Sequence, residues 1–394
     1  MAEDTILRSE YLRQLDDCKK NRDLIKVITG VRRCGKSVLM KQFCKKLEAE
    51  NEQVIYLDLE EKRFVIDSDR MLYQYIEDEI KSNGPYLLID EVQIVSGWEK
   101  VVNSIRLKHN ANVYITGSNA QIFSSELSTL IAGRYVEICV LPFSFKEFVE
   151  RYPVSEDMGY TQRFEQYLRW RGMPIIDLND DEPKNRAILG SVYDSIVNRD
   201  IRTHMSLEQG ILDDMTVFMM SNIGNLVSSN AISKGAFIDD SRTVERYLTQ
   251  LCKCHIFYRA DKYDILGKKH LRTSAKFYAI NTGLRNSVLY GREYNEAALL
   301  ENAVYIELIR RGYKVSVGSY RDVEVDFTAW KDDVPEFYQV VLTLNSDRTK
   351  NREYKAFRTM AKDNRCTILT MDRECFDVPK GVKVVNAVDW MLSE

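Results

Sequence analysis

At 394 residues the chain is long enough for two or three domains, each with its own core. A composition 44% hydrophobic and 29% charged reads as soluble and globular, and a net charge of −3 argues against wholesale coating of nucleic acid. No apolar run approaches the roughly 18 residues of a membrane span, and Met1-Ala2-Glu3-Asp4 is no secretory leader, so a cytoplasmic protein without a membrane partner is expected.

Ile6, Leu7, Tyr11, Leu12 and Leu15 recur at near-helical spacing and predict an amphipathic helix over residues 6–20. A strand, Ile25 to Thr29, then runs into Gly30-Val31-Arg32-Arg33-Cys34-Gly35-Lys36-Ser37, and a helix opens at Val38. This is the phosphate-loop pattern G-x-x-x-x-G-K-[ST] in its strand–loop–helix setting. The glycines let successive N–H groups point at phosphate oxygens, and the helix N-terminus favours negative charge. Lys36 would meet the β- and γ-phosphates, and Ser37 would hold Mg²⁺.

Val54 to Asp58 is a second strand, Met71 to Lys81 a helix, and Tyr86-Leu87-Leu88-Ile89-Asp90-Glu91 a buried strand after the turn pair Gly84-Pro85. Its terminal acids would serve the loop, Asp90 on Mg²⁺ and Glu91 on the attacking water. A simple helix cap at the strand end is the alternative. Val113 to Thr116 is a fourth strand, ending in Gly117-Ser118-Asn119, where Ser118 would sense the γ-phosphate or orient the water unless it merely builds a turn. Tyr135 to Leu141 is the fifth. Five such strands predict a parallel sheet with helices on both faces and the ligand beyond the strand carboxyl ends.

Residues 25–150 resemble the ATPase domain of a prokaryotic branch of the AAA-type ATPases. The resemblance is carried by Ile28 to Ser37, Ile89-Asp90-Glu91-Val92-Gln93, Gly97-Trp98-Glu99, Thr116-Gly117-Ser118, Ala132-Gly133-Arg134-Tyr135, and Leu141-Pro142-Phe143-Ser144-Phe145 with Glu147-Phe148. It implies one strand between the loop strand and the Asp-Glu strand. It implies ATP rather than GTP, since the guanine signature is absent. It also implies a homo-oligomer in which Arg134 reaches the neighbouring subunit's γ-phosphate; a surface arginine is the alternative.

Residues 151–208 read as helical and resemble a lid or linker, with no role for Arg199. Over 209–285, three short helices and a basic hairpin resemble a winged helix, with Arg242 and Arg246 on the third helix and Lys268 and Lys269 in the wing as candidate DNA contacts. Asp239, Asp240, Asp261 and Asp264 offset that charge, and a protein partner is the alternative to DNA. Cys252, Cys254 and His255 stand together, but C-x-C-H spacing without a second ligand pair does not predict zinc. Residues 286–394 run helix, three strands, helix, strands, which resembles the PD-(D/E)XK nuclease-like fold. Glu301 matches the helical acid and Asp326 the first carboxylate. Where the pattern wants acid-x-Lys the chain has Gln339-Val340-Val341, so a degenerate site without cleavage is expected, unless Lys350 or Lys355 on the next helix substitutes. The expected whole is an α/β ATPase domain over 1–150, the lid, the winged helix and the degenerate nuclease-like domain, with ATP hydrolysis driving or gating conformational change. The rival readings are a slow ATP-dependent DNA-binding switch and an ATP-gated nuclease.

Overall fold

The five apolar runs of the N-terminal region pair as parallel strands: β1 Ile25–Thr29, β2 Val54–Asp58, β3 Tyr86–Asp90, β4 Asn112–Thr116 and β5 Tyr135–Cys139. Their order is β2-β3-β4-β1-β5, so β4 lies between the loop strand and the Asp-Glu strand, as the resemblance implies. The computed structural model describes residues 5–61, 64, 66–117, 133–170, 172–201, 209–238, 240–290, 294–321, 323–362, 364–374 and 376–393, with the backbone alone at 209, 272 and 273. Ser118, Asn119 and the apolar stretch before Gly133 lie outside these residues.

β1, β3 and β4 are buried along their whole length because helices cover both faces. On one face Val27, Leu57, Ile89, Val113 and Ile115 pack against Leu72 and Ile76 of α3 (Asp69–Glu79) and Trp98 and Val102 of α4 (Trp98–His109). On the other, Tyr114 meets the Phe43 ring of α2 (Lys36–Ala49) at 4.9 Å, and its hydroxyl donates to the Leu15 carbonyl of α1 (Ser9–Asp17) at 3.1 Å.

The chain divides into two compact units. The first holds Met1–Pro142 together with Ser195–His204 and Lys253–His255; the second holds Phe143–Asp194, Met205–Cys252 and Ile256–Glu394. Two expected boundaries move. Residues 143–150, expected within the ATPase segment, belong to the second unit, because the Phe145 and Phe148 rings of α5 (Phe145–Arg151) pack at a tilt against Tyr167 of α6 (Tyr160–Trp170) and Phe143 N–H donates to the Gly172 carbonyl. Ser144 and Glu147 form a reciprocal cap at the start of α5.

The second boundary is 285/286. After α7 (Glu182–Ser195) and a π-turn (Ile196–Ile201) come α8 (Gln209–Ser221), α9 (Ser229–Gly235), α10 (Ser241–Lys253) and the hairpin β6 (Phe257–Asp264) and β7 (Lys269–Ala279), the helix and hairpin order expected of a winged helix. The hairpin is not a free wing, however. β6 pairs in parallel with β8 (Lys314–Tyr320), making one sheet, β12-β11-β10-β9-β8-β6-β7. The remaining members are α11 (Thr282–Val288), α12 (Glu296–Arg310), β9 (Val323–Lys331), β10 (Val334–Val341), α13 (Asp347–Met360), β11 (Arg365–Thr370), β12 (Val382–Asn386) and α14 (Ala387–Leu392). Pairing satisfies a β6 edge that would otherwise be open to other chains. Asn302 of α12 fastens β7 by bonding both the N–H and the carbonyl of Ala279 at 2.8 Å.

Candidate active site

The loop after β1 turns sharply. Gly30 has φ +138°, and a Cβ there would fall 2.2 Å from the Val140 carbonyl oxygen, so glycine is required. Gly35 at φ 102° then delivers Lys36 as the first residue of α2. Lys36 is buried, its Nζ donating to the Gly30 carbonyl at 3.0 Å and the Val31 carbonyl at 3.4 Å. Arg8, also buried, braces the loop from the N-terminal segment by donating to the Cys34 carbonyl at 3.2 Å and the Leu141 carbonyl at 2.9 Å. Burial pushes the Cys34 thiol up, so it stays protonated inside the loop. Val38 is exposed and Arg33 adopts φ 66°. Arg32 lies 3.6 Å from Glu60 and 4.0 Å from Asp200.

At the end of β3, Asp90 is buried, and the Thr116 hydroxyl of β4 donates to its Oδ1. Burial raises its pKa, opposed by the Thr116 and Ser37 hydroxyls, which favour the charged form. The Glu91 backbone, at φ 53° and ψ 48°, donates its N–H to the same Thr116 oxygen at 2.9 Å. The Gln93 amide donates to Glu91 Oε2 at 2.5 Å. Loop, Ser37, Asp90 and Glu91 are therefore gathered at one sheet end. A hydroxyl beside a carboxylate is an oxygen pair suited to Mg²⁺, and the glycine cradle suits a polyphosphate.

Arg134 sits elsewhere. It is exposed, and its carbonyl accepts from Ile25 N–H at the opposite end of β1 from the loop. A five-residue strand spans about 16 Å, beyond the reach of an arginine side chain toward its own loop.

Sequence reasoning missed Thr116 and Gln93 as partners of the acids, and Asp200 and His255 as members of this unit. His255, buried and at φ 55°, has both ring nitrogens 3.9 Å from Cys139 Sγ, whose strand partner is Thr29. Cys254 Sγ approaches the Asp200 carbonyl at 3.6 Å, and among the described residues no group of three His, Cys, Asp or Glu is placed to hold a metal.

In the second unit, Glu301, Asp326 and Gln339 do come together, bordering a cavity of about 520 Å³. A lysine enters this cluster from β7: Lys276 Nζ lies 3.0 Å from Glu301, 2.8 Å from Glu324 and 3.8 Å from Asp326. Burial alone would lower the Lys276 pKa, but the surrounding carboxylates raise it instead. Burial, then the Glu301 charge, pushes Asp326 well up. Gln339 Oε1 accepts from Asp326 N–H at 3.3 Å. Lys355 borders the cavity as well. Arg242, Arg246, Lys268 and Lys269 are exposed on α10 and in the hairpin, beside exposed Asp240 and Glu245.

The AAA domain family matches residues 22–149, and a "Domain of unknown function (DUF8612)" matches 161–294, across the expected boundaries at 208/209 and 285/286. A Haemophilus influenzae protein, described as uncharacterized, is 37% identical over 409 residues, covering 100% of both chains. An uncharacterized Methanocaldococcus jannaschii protein is 28% identical over 357 residues, covering 86% of this chain and 79% of its own. A solved structure of the replication initiator DnaA bound to AMPPCP and single-stranded DNA aligns at 16% identity over 64% of this chain and 91% of that one. Its TM-score is 0.31, too low to establish a common fold. Among the described residues no helix is long and apolar enough to cross a membrane. With identity of this level along its whole length, the chain belongs to the same family as the Haemophilus influenzae protein, and its residues 22–149 match the AAA domain.

Proposed function

We propose that the chain binds ATP with Mg²⁺ in the Gly30–Ser37 cradle and hydrolyses it, with turnover gating a conformational change felt by the second unit. The observation that carries this is the convergence of Lys36, Ser37, Asp90 and Glu91 on one sheet end, with Thr116 bonding both acids. Ser37 and Asp90 would hold the cation, whose chemistry when bound is to offset charge on the phosphate oxygens. Lys36 exchanges the Gly30 and Val31 carbonyls for β- and γ-phosphate oxygens. Glu91 takes a proton from the attacking water. Arg134, too far from its own loop, is assigned to a neighbouring copy, which makes the working form a homo-oligomer.

Arg242, Arg246, Lys268 and Lys269 are proposed as a surface for DNA or a protein partner, the exposed acids nearby favouring modest affinity. The Glu301, Asp326 and Gln339 cluster is proposed to be silent as a nuclease. Lys276 is already engaged by its carboxylates, and Gln339 spends its amide oxygen on the backbone.

The test is steady-state ATP turnover and nucleotide binding by Lys36→Ala and Glu91→Gln. Loss of binding is expected in the first. The second should keep binding while turnover falls by about 10² or more. Normal turnover in Glu91→Gln would remove the general-base assignment. Incubation with DNA and RNA in Mg²⁺ or Mn²⁺, with and without ATP, should leave both intact, and cleavage lost in Asp326→Ala would reverse the reading of that cluster.

A further inference from the structure

The two acids at the end of β3 are held differently. Asp90 has the Thr116 hydroxyl on its carboxylate. Glu91 is fixed by the Thr116 oxygen only at its backbone N–H, and its carboxylate receives one bond among the described residues, from the Gln93 amide at 2.5 Å. The short 3₁₀ turn Val92–Ile94 makes this possible, since it curls residue 93 back toward residue 91. The left-handed backbone of Glu91, rare for a residue with a Cβ, sets the direction from which the turn starts.

Gln93 gives the fold little else. Its Oε1 is buried and accepts no hydrogen bond among the described residues. A buried amide oxygen left without a donor is a cost that folding ordinarily avoids. The orientation is nonetheless forced, because an ionised carboxylate only accepts and the reversed amide would set oxygen against oxygen. The side chain is thus committed to Glu91. An amide is also the right chemistry for that task. A lysine or arginine at 93 would neutralise Glu91 and blunt it as a base, whereas a neutral donor orients the carboxylate and leaves its charge.

We infer that Gln93 is a positioning residue of the hydrolytic centre. Its amide holds Oε2 of Glu91 and leaves Oε1 to take the proton of the attacking water. As that proton moves to Oε1, the water oxygen bonds the γ-phosphorus. The bond from the γ-phosphorus to the β–γ bridging oxygen breaks, and ADP carries away that electron pair. This rests on reading Glu91 as the general base.

The experiment measures ATP turnover against ATP concentration and pH in the full chain, for the wild type, Glu91→Gln, Gln93→Leu and Gln93→Glu. Gln93→Leu keeps the size and removes the donor: kcat should fall about tenfold or more, with KM and the ATP dissociation constant within about twofold. Gln93→Glu sets two carboxylates face to face, so one holds a proton at neutral pH. The acid limb should move upward by about one pH unit or more, while the alkaline plateau stays below the wild type's because an ionised carboxylate at 93 donates nothing. A packing role for Gln93 would lower the melting temperature and leave that limb in place. Unchanged kcat in Gln93→Leu, or an unshifted limb in Gln93→Glu, overturns the inference while Glu91→Gln still abolishes turnover. A wild type that hydrolyses no ATP overturns both the inference and the reading of Glu91.

Discussion

His255 shows how much one residue's setting matters. Its neighbours Cys252 and Cys254 lack the spacing of a zinc site, and the ring is packed beside Cys139 near the phosphate loop. Burial first, then the nearby Lys36 charge, lowers its pKa from 6.5 to about 4. The unfolded chain therefore binds a proton at a higher pH than the folded one. The stability linked to a neutral His255 is complete above pH 6.5 and is lost as pH falls through about 4. The linked free energy is on the order of 3 kcal/mol. His255→Gln should flatten the acid side of a stability-against-pH curve measured by denaturant unfolding. An acid slope equal to the wild type's would remove His255 as its source.

Among the elements, the five strands of the first sheet and the loop between β1 and α2 were legible, because apolar runs and a fixed glycine–lysine spacing are local signals. The partners of Asp90 and Glu91 were not. Thr116 reaches Asp90 only because β4 pairs with β3, and Gln93 reaches Glu91 only because a 3₁₀ turn follows the strand. Lys276 was hidden for the same reason: it enters the Glu301 cluster from β7, a strand expected in a separate domain. β10 gives the converse. Val341 is buried among Phe337, Leu344, Tyr354 and Ile368, so its strand serves the core there. Val341→Lys, which restores the lysine of the nuclease pattern, should therefore destabilise the protein by about 2–4 kcal/mol and yield no cleavage. Thermal melting and a plasmid-nicking assay would check it, and a stable variant that cuts DNA would refute it.

For the whole molecule, the position of Arg134 has the largest consequence. With its backbone at the far end of β1, its side chain serves hydrolysis only if another copy offers a loop to it. Arg134→Ala should bind ATP normally and lose turnover by about 10³-fold, as removal of an arginine finger does in other phosphate-loop enzymes. Wild-type specific activity should also rise with protein concentration as copies associate. Full activity in Arg134→Ala, or activity independent of dilution with the protein sedimenting as a monomer, would eliminate the trans role.

The division of the chain bears on how such a protein can be recombined. The polypeptide passes between its two units at 142/143, 194/195, 252/253 and 255/256 and once more between residues 201 and 210, so the first unit is not one uninterrupted stretch of gene. A cassette cut at residue 142 leaves behind Asp200, which faces Arg32, and His255, which lies beside Cys139. Shuffling at that junction exchanges an unfinished part, whereas inheritance of the whole reading frame keeps loop and counterpart in register.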